Sequence, residues 1–290
     1  MKDFAGKVAV ITGAGSGFGR EFAQLGAKMG CKLVLADVQA DALAETVAQL
    51  EAAGAQVIAE VVDVSKANQV ERLAQAAVKK FGTIDMAFNN AGVGSGGLIW
   101  ENSLKDWEWV MGVNVMGVVH GLHYFTPIML AHGREGHIVN TASMAGLLNA
   151  QLMGVYNVSK HAVVSMTETL AHDLRVVNSK LGVSVLCPAF VPTGISQSHR
   201  NRPADLKSEM PVSESQIAAQ KSSEKAVSSG KITAAQVAQQ VFDAIRDDQF
   251  YVFTHPKIMP SVGLRFEDVM TGRNPSDPFL YKPGVAGVAK

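Results

Sequence analysis

Apolar residues in this chain fall into short runs separated by longer stretches of mixed polarity. Runs at 7–12, 32–36, 56–62, 84–88, 136–141, 183–187 and 250–254 read as strands. The first, Lys7 to Thr12, is nearly continuous, as expected of a strand buried on both faces of a parallel sheet. Helical spacing is predicted near 18–29, 39–53, 66–81, 104–132, 155–180 and 233–247. Regular alternation of this kind implies an α/β domain: a doubly wound parallel sheet with helices on both faces and right-handed crossovers. The rhythm breaks at 194–230, which is rich in Ser, Gln, Lys and Glu and poor in apolar residues. That stretch is either a solvated surface excursion or a mobile substrate lid inserted in a domain spanning 1–254. Pro256, Pro260, Pro275, Pro278 and Pro283 predict that 255–290 is an irregular C-terminal arm, either wrapping a neighbour or closing the cleft.

Composition narrows the class. Lysine plus arginine equals aspartate plus glutamate at 26 each, so charge points neither to nucleic acid nor to an acidic membrane surface. A hydrophobic content of 47% fits a single large core. Cys31 and Cys187 read as buried thiols in a reducing compartment, and the cytoplasm is the expectation. The N-terminus has no hydrophobic signal core, and no apolar stretch is long enough to span a bilayer. Among the eight histidines, His120 and His123 share a predicted helix face but lack a third ligand, so no metal is expected. Trp100, Trp107 and Trp109 read as packing or interface residues.

The candidate chemistry lies in three places. Gly13, Gly15, Gly17 and Gly19 follow the first strand directly and precede a helix. Such a turn admits positive φ and close backbone approach, and the helix it opens presents free N–H groups to a phosphate. Asp37, eighteen residues beyond Gly19 at the end of the second apolar run, is placed to accept hydrogen bonds from a ribose. Tyr156 and Lys160, at i and i+4, share a helix face. A nearby ammonium would lower the phenol from its ordinary pKa of ~10, so Tyr156 is expected to act as acid or base.

Taken in order, Thr12-Gly13-x-x-x-Gly17-x-Gly19, Asp63-Val64, Asn89-Asn90-Ala91-Gly92, Asn114, Ser143, Tyr156-x-x-x-Lys160 and Pro188 with Val191 and Thr193 resemble the short-chain dehydrogenase/reductase family, NAD-preferring type, from about Phe4 to Phe253. The resemblance implies a single-domain Rossmann-type sheet of seven parallel strands, a proton relay of Asn114, Ser143, Tyr156 and Lys160, and a homotetramer or homodimer. It implies that Ser143 binds the substrate oxygen and that Lys160 binds the nicotinamide ribose. It places Gly13, Ser16, Gly17, Phe18 and Gly19 at the pyrophosphate, and Asp37, Val38, Asp63 and Val64 at the adenosine. Asn90, Ala91, Gly92, Pro188, Val191 and Thr193 would line the rest of the cofactor cleft. Asp37 suits the free 2′-hydroxyl of NAD and would repel the 2′-phosphate of NADP. The family usually has Pro-Gly where this chain has Pro188-Ala189 followed by Phe190.

By the same analogy, Ser143, Met144, Leu148, Met153, Tyr156 and Phe190 are candidate substrate residues, with Val93, Gly94, Ser95, Ala145 and Leu147 nearby. Their apolar character favours a small hydrophobic secondary alcohol or ketone. Two alternatives remain at this point: a non-catalytic NAD(H)-binding sensor, and an NADPH-type carbonyl reductase. The excess of apolar residues on the helices at 104–122 and 155–176 predicts a subunit interface.

Overall fold

The computed structural model describes residues 1–208 and 211–279. Seven strands, β1 (Val8–Thr12), β2 (Lys32–Asp37), β3 (Val57–Val61), β4 (Met86–Asn89), β5 (Gly136–Thr141), β6 (Leu181–Cys187) and β7 (Tyr251–Phe253), form one sheet. Their order is β3-β2-β1-β4-β5-β6-β7, and every pairing is parallel. The strand order reverses between β1 and β4, which opens a crevice at the carboxyl ends of the strands. The fold is thus a Rossmann-like single domain with a C-terminal extension.

Helices α1 (Gly17–Lys28), α2 (Ala40–Ala52) and α3 (Ala67–Phe81) connect the first four strands. Beyond β4 come α4 (Leu104–Met111), α5 (Gly117–Ala131) and α6 (Gly154–Val176). α7 (Glu214–Ser228), α8 (Ala234–Asp247) and α9 (Met259–Thr271) complete the chain. Sharp helix starts follow from capping boxes: Ser103 with Asp106 at α4, Ser213 with Gln216 at α7, and Thr233 with Gln236 at α8.

β1, β4 and β5 are buried along their whole length, which explains the apolar run of β1 and the apolar centres of β4 and β5. On one face of the sheet, Phe22, Phe88 and Phe242 pack with ring centroids 5.1 and 5.7 Å apart. On the other, Val10, Leu73, Phe125 and Ile138 belong to a separate buried cluster.

Two stretches depart from the predicted pattern. The helix expected over 104–132 is two helices joined by a π-helical turn, Gly112–Met116. Periodicity cannot register the one extra residue of such a turn, because the apolar stripe resumes on nearly the same face. The expected irregular arm at 255–290 instead contains α9, entered through Pro260 at a position where proline loses no hydrogen bond. Val262 of α9, with Ile258 and Met259, packs against Met144, Leu148 and Val164. The remainder of the arm folds back, with Ser261 Oγ donating to Pro278 O at 3.1 Å and Ser276 N donating to Asp268 Oδ2 at 2.9 Å. The part of the arm beyond 279, including Pro283, lies outside the described residues.

One buried titratable group bears on stability. His137 on β5 is fully enclosed, and its Nε2 lies 2.8 Å from Ser184 Oγ. That hydroxyl donates to Gln249 O at 2.6 Å, so the ring nitrogen must be the donor. Its Nδ1 has no hydrogen-bond partner, and burial pushes the imidazole pKa down to about 3. An unfolded histidine titrates near ~6.5. The unfolded chain therefore takes up a proton that the folded chain refuses, and the stability due to the neutral ring is complete above that value and lost as pH falls toward about 3. Melting temperature is expected to fall between about pH 6.5 and pH 4 with a shallower slope in His137→Gln than in the wild type. Parallel slopes would remove His137 from the account.

Candidate active site

The turn from β1 to α1 forms the floor of the crevice. Gly13 and Gly17 have φ of +70° and +52°, values that L side chains rarely adopt. A Cβ on Gly13 would also come within 2.9 Å of Ala91 Cα, so the turn lies directly against the segment following β4. Thr12 joins the two: its Oγ1 accepts from Asn90 N at 2.9 Å and Ala91 N at 3.1 Å, and Asn90 Nδ2 donates to Thr12 O at 3.0 Å. Ser16 is the N-cap of α1 and makes no side-chain capping bond, which leaves the first-turn N–H groups to an anionic ligand. Arg20 braces the turn from behind, donating to Gly15 O through Nε at 3.1 Å and Nη2 at 2.6 Å.

Asp37 ends β2 beside this turn and is only 7% exposed. Its Oδ2 accepts from Gly15 N at 2.8 Å and its Oδ1 accepts from Gln39 N at 2.9 Å. These bonds hold the carboxylate at the lining of the crevice with acceptor capacity to spare. Asp63 is fixed at the next strand end, with Oδ1 accepting from Ser65 N and its own N–H donating to Gln69 Oε1.

At the opposite end of the crevice, β5 and β6 and the first turns of α6 carry the reactive groups. Tyr156 and Lys160 sit one helical turn apart on α6, with the ammonium 5.6 Å from the phenol ring centroid. Lys160 is 3% exposed and donates through Nζ to Thr141 O at 2.9 Å. Ser143 follows β5; its Oγ accepts from Ala145 N at 3.1 Å and donates to Pro188 O at 3.3 Å. Asn114 lies in the π-helical turn, completely buried. Its Nδ2 donates to Val93 O and to Ser159 Oγ, both at 3.0 Å, and its Oδ1 accepts from Val93 N at 2.8 Å. The turn thus links the strand-β4 loop to the helix bearing Tyr156.

The electrostatics differ from the sequence expectation in one respect. Lys160 does not depress the Tyr156 phenol below its ordinary range: burial pushes it up, and the facing Ser143 hydroxyl pulls only partly the other way. The same burial pushes the Lys160 ammonium down to about 8, with the Cys187 thiol opposing. Both groups occupy one dry pocket, so removal of water penalises both charged forms.

A continuous cleft of about 630 Å³ joins the two ends. Gly13, Ser16, Gly17 and Phe18 line it, as do Asp37, Val38, Asp63 and Val64. So do Asn90, Ala91 and Gly92, the pair Ser143 and Tyr156 with Lys160, and Pro188, Val191 and Thr193. Gly19 stands behind the turn: a Cβ there would meet Gly13 O at 2.1 Å. His120 also lines the cleft, with Nδ1 2.8 Å from Val64 O, whereas His123 packs edge-on to Tyr124.

The candidate substrate residues divide. Ser143 and Tyr156 face the cleft, but Met144 and Leu148 are buried in the cluster with Val163, Val164 and Val262. Met153 is the N-cap of α6 and bridges to Gly97, and Phe190, 41% exposed, lies off the cleft. The family analogy placed these four by loop position, and α9 covers the face on which Met144 and Leu148 would otherwise open. The segment after β6 contributes residues that no motif announced: Ile195, Ser198, Arg200 and Leu206 line the cleft. Ser198 Oγ accepts from Gly94 N at 2.8 Å, and Arg202 is bound to Asp106 and stacked 5.2 Å from the Trp109 ring.

The geometry has close counterparts. A short-chain dehydrogenase/reductase from Burkholderia phymatum, solved in complex with NAD, is 57% identical, with a TM-score of 0.95 over 96% of this chain and 99% of its own. The "CLA biosynthesis dehydrogenase/reductase" of Lactiplantibacillus plantarum is 37% identical over 95% of this chain and 97% of its own length. The "1-deoxy-11-beta-hydroxypentalenate dehydrogenase" of Streptomyces avermitilis is 34% identical over 90% of this chain and 89% of its own length. The sequence model of the short chain dehydrogenase family matches residues 7–204, from the first strand through the glycine turn and the Tyr156–Lys160 pair to the segment after β6. The chain belongs to the short-chain dehydrogenase/reductase family.

Proposed function

We propose that this oxidoreductase interconverts a hydrophobic secondary alcohol and its ketone with NAD, using Tyr156 as the proton acceptor and donor. The observation that carries the reading is the single cleft with Asp37 at one end and Ser143, Tyr156 and Lys160 at the other. The residues present suit NAD: a glycine turn with an uncapped helix start, and a buried carboxylate beside it at the end of β2. The relative solved with NAD supports the choice of cofactor. When bound, NAD supplies an electrophilic nicotinamide carbon that accepts the hydride.

The chain itself supplies the rest. Ser143 offers its hydroxyl to the substrate oxygen, and Tyr156 takes the proton from that oxygen as the carbon–hydrogen bond breaks. In the reverse direction Tyr156 returns the proton. Burial keeps the phenol protonated at rest, and the facing Ser143 hydroxyl is the group that favours its phenolate. Asn114 keeps the α6 helix in register with the loop after β4, so Lys160 stays at the cleft floor.

Apolar lining from Val93, Trp109, Val113 and Ile195 supports a hydrophobic substrate. The Streptomyces avermitilis relative is named as the dehydrogenase of a hydroxylated compound, which supports an alcohol as the reacting group. Exposed apolar side chains on α4, α5 and α6, namely Leu104, Leu130, Val158 and Val176, support a homodimer or homotetramer. The free buried thiols Cys31 and Cys187 support a cytoplasmic setting.

The test is reduction of NAD and NADP, followed by nicotinamide absorbance, across a panel of hydrophobic secondary alcohols. Turnover with NAD but not NADP is expected. Asp37→Ala should lose much of that selectivity, chiefly by weakening NAD and admitting the 2′-phosphate of NADP. An unchanged NAD/NADP ratio in that variant would refute the ribose assignment.

A further inference from the structure

We propose that Arg200 is a cofactor-binding residue, the lid's clasp on the diphosphate of NAD. The inference rests on the NAD reading above.

Arg200 closes a 3-10 segment, Gly194–Asn201, that crosses the crevice. Its Nε donates to Gln39 Oε1 at 3.0 Å, two residues past the Asp37 carboxylate. Its Nη1 donates to Gln197 O at 3.2 Å and approaches Gly194 O at 3.5 Å. Gly194 follows Thr193, whose Cβ lies 3.4 Å from where a Cβ on Gly17 would be, at the start of α1. The guanidinium is therefore held between the ribose end and the phosphate end of the cofactor cleft.

Charge favours an anion at that place. The partners of Arg200 are neutral oxygens, and among the described residues no carboxylate pairs with it. Of the two lysines lining the cleft, Lys160 is bound to Thr141 O at the catalytic end, and Lys66 stands at the start of α3 beyond Asp63, away from the α1 turn. Arg20, the basic residue of α1 nearest the turn, is bound to Gly15 O and Glu45. A diphosphate lying on the uncapped start of α1 would receive two hydrogen bonds' worth of donors from a guanidinium already directed across the cleft.

The lid does not depend on Arg200 for its position. Arg202 fastens it to α4 through Asp106 at 2.5 Å and through Trp109, and its Nε donates to Leu206 O at 2.7 Å. Ser198 joins it to Gly94. Removing the Arg200 side chain thus removes a charge over the cleft while leaving these fastenings in place.

The experiment is a fluorescence titration of the full-length protein with NADH, ADP and adenosine, in wild type, Arg200→Ala and Arg200→Lys. In Arg200→Ala, NADH and ADP should each bind roughly 10-fold more weakly, as for loss of charge-assisted hydrogen bonds, while adenosine binding is unchanged. Arg200→Lys should recover part of the loss, and the dependence of NADH affinity on salt should flatten in Arg200→Ala. Undiminished NADH and ADP binding in Arg200→Ala would overturn the proposal, as would an equal loss for adenosine, which has no phosphate. Wild-type protein that binds neither NADH nor ADP would overturn the cofactor reading itself, and this arm keeps the two failures apart.

Discussion

Tyr156→Phe is expected to lower alcohol oxidation by ~10²–10⁴-fold, the usual worth of a positioned acid–base group, while NADH binding stays nearly intact. The two effects separate because the phenol hydroxyl is the only atom removed. Lys160 keeps its bond to Thr141 O at 2.9 Å, and the glycine turn and Asp37 make no contact that the variant disturbs. Phenylalanine also retains the ring beneath which the ammonium lies at 5.6 Å. Steady-state rates with the best alcohol of the panel, alongside direct NADH titration, check both halves. Loss of NADH binding in step with activity would make Tyr156 a structural residue and would remove the proton-transfer role assigned to it.

Gly19→Ala should abolish NADH binding and cost on the order of 1–3 kcal/mol of stability, the range for overpacking a tight site. The added methyl would meet Gly13 O at 2.1 Å and Gly13 C at 2.6 Å. Both are backbone atoms of the turn, so no side chain can rotate away, and the turn itself must move. Gly13 is in turn pressed against Ala91, which transmits the shift to the segment held by Thr12. Gly133→Ala is the informative control. Gly133 has φ of +61° but open space around its Cβ position, so backbone strain alone should cost ~1 kcal/mol or more without touching NADH affinity. Denaturant unfolding and NADH titration of both variants decide the matter: equal NADH affinities in the two would show that the turn tolerates a methyl.

Much of this architecture is legible in the sequence because it depends on local signals. Strands buried on both faces are dominated by apolar residues, so Val8–Thr12 stands out as a run, and Gly136–Thr141 is marked by its Ile138-Val139 centre. Capping boxes mark the starts of α4 and α8. The Tyr156–Lys160 spacing needs only helix geometry to become a site. What escaped depends on distant parts of the chain. The π-helical turn at Asn114 is stabilised by bonds to Val93 and Ser159, neither of which is near in sequence. The burial of Met144 and Leu148 is decided by α9, more than a hundred residues later. The direction of the Tyr156 shift follows from how much water the closed pocket excludes, which no spacing rule encodes. Arg200 reaches the cleft from a polar loop whose composition resembles any solvated surface.

The bond from Gly15 N to Asp37 Oδ2 has a consequence for how cofactor preference can drift among descendants of this chain. In the proposed function a single carboxylate would both select the nucleotide and satisfy a backbone N–H of the turn that receives it. A substitution to an apolar residue would open the site to NADP but leave that N–H without its acceptor, a loss of ~1–3 kcal/mol for a buried group. A small hydroxyl or amide side chain could keep the acceptor while surrendering the charge. Routes from one nucleotide to the other are therefore narrow: they pass through residues such as Ser or Asn at position 37 before a cation can be recruited.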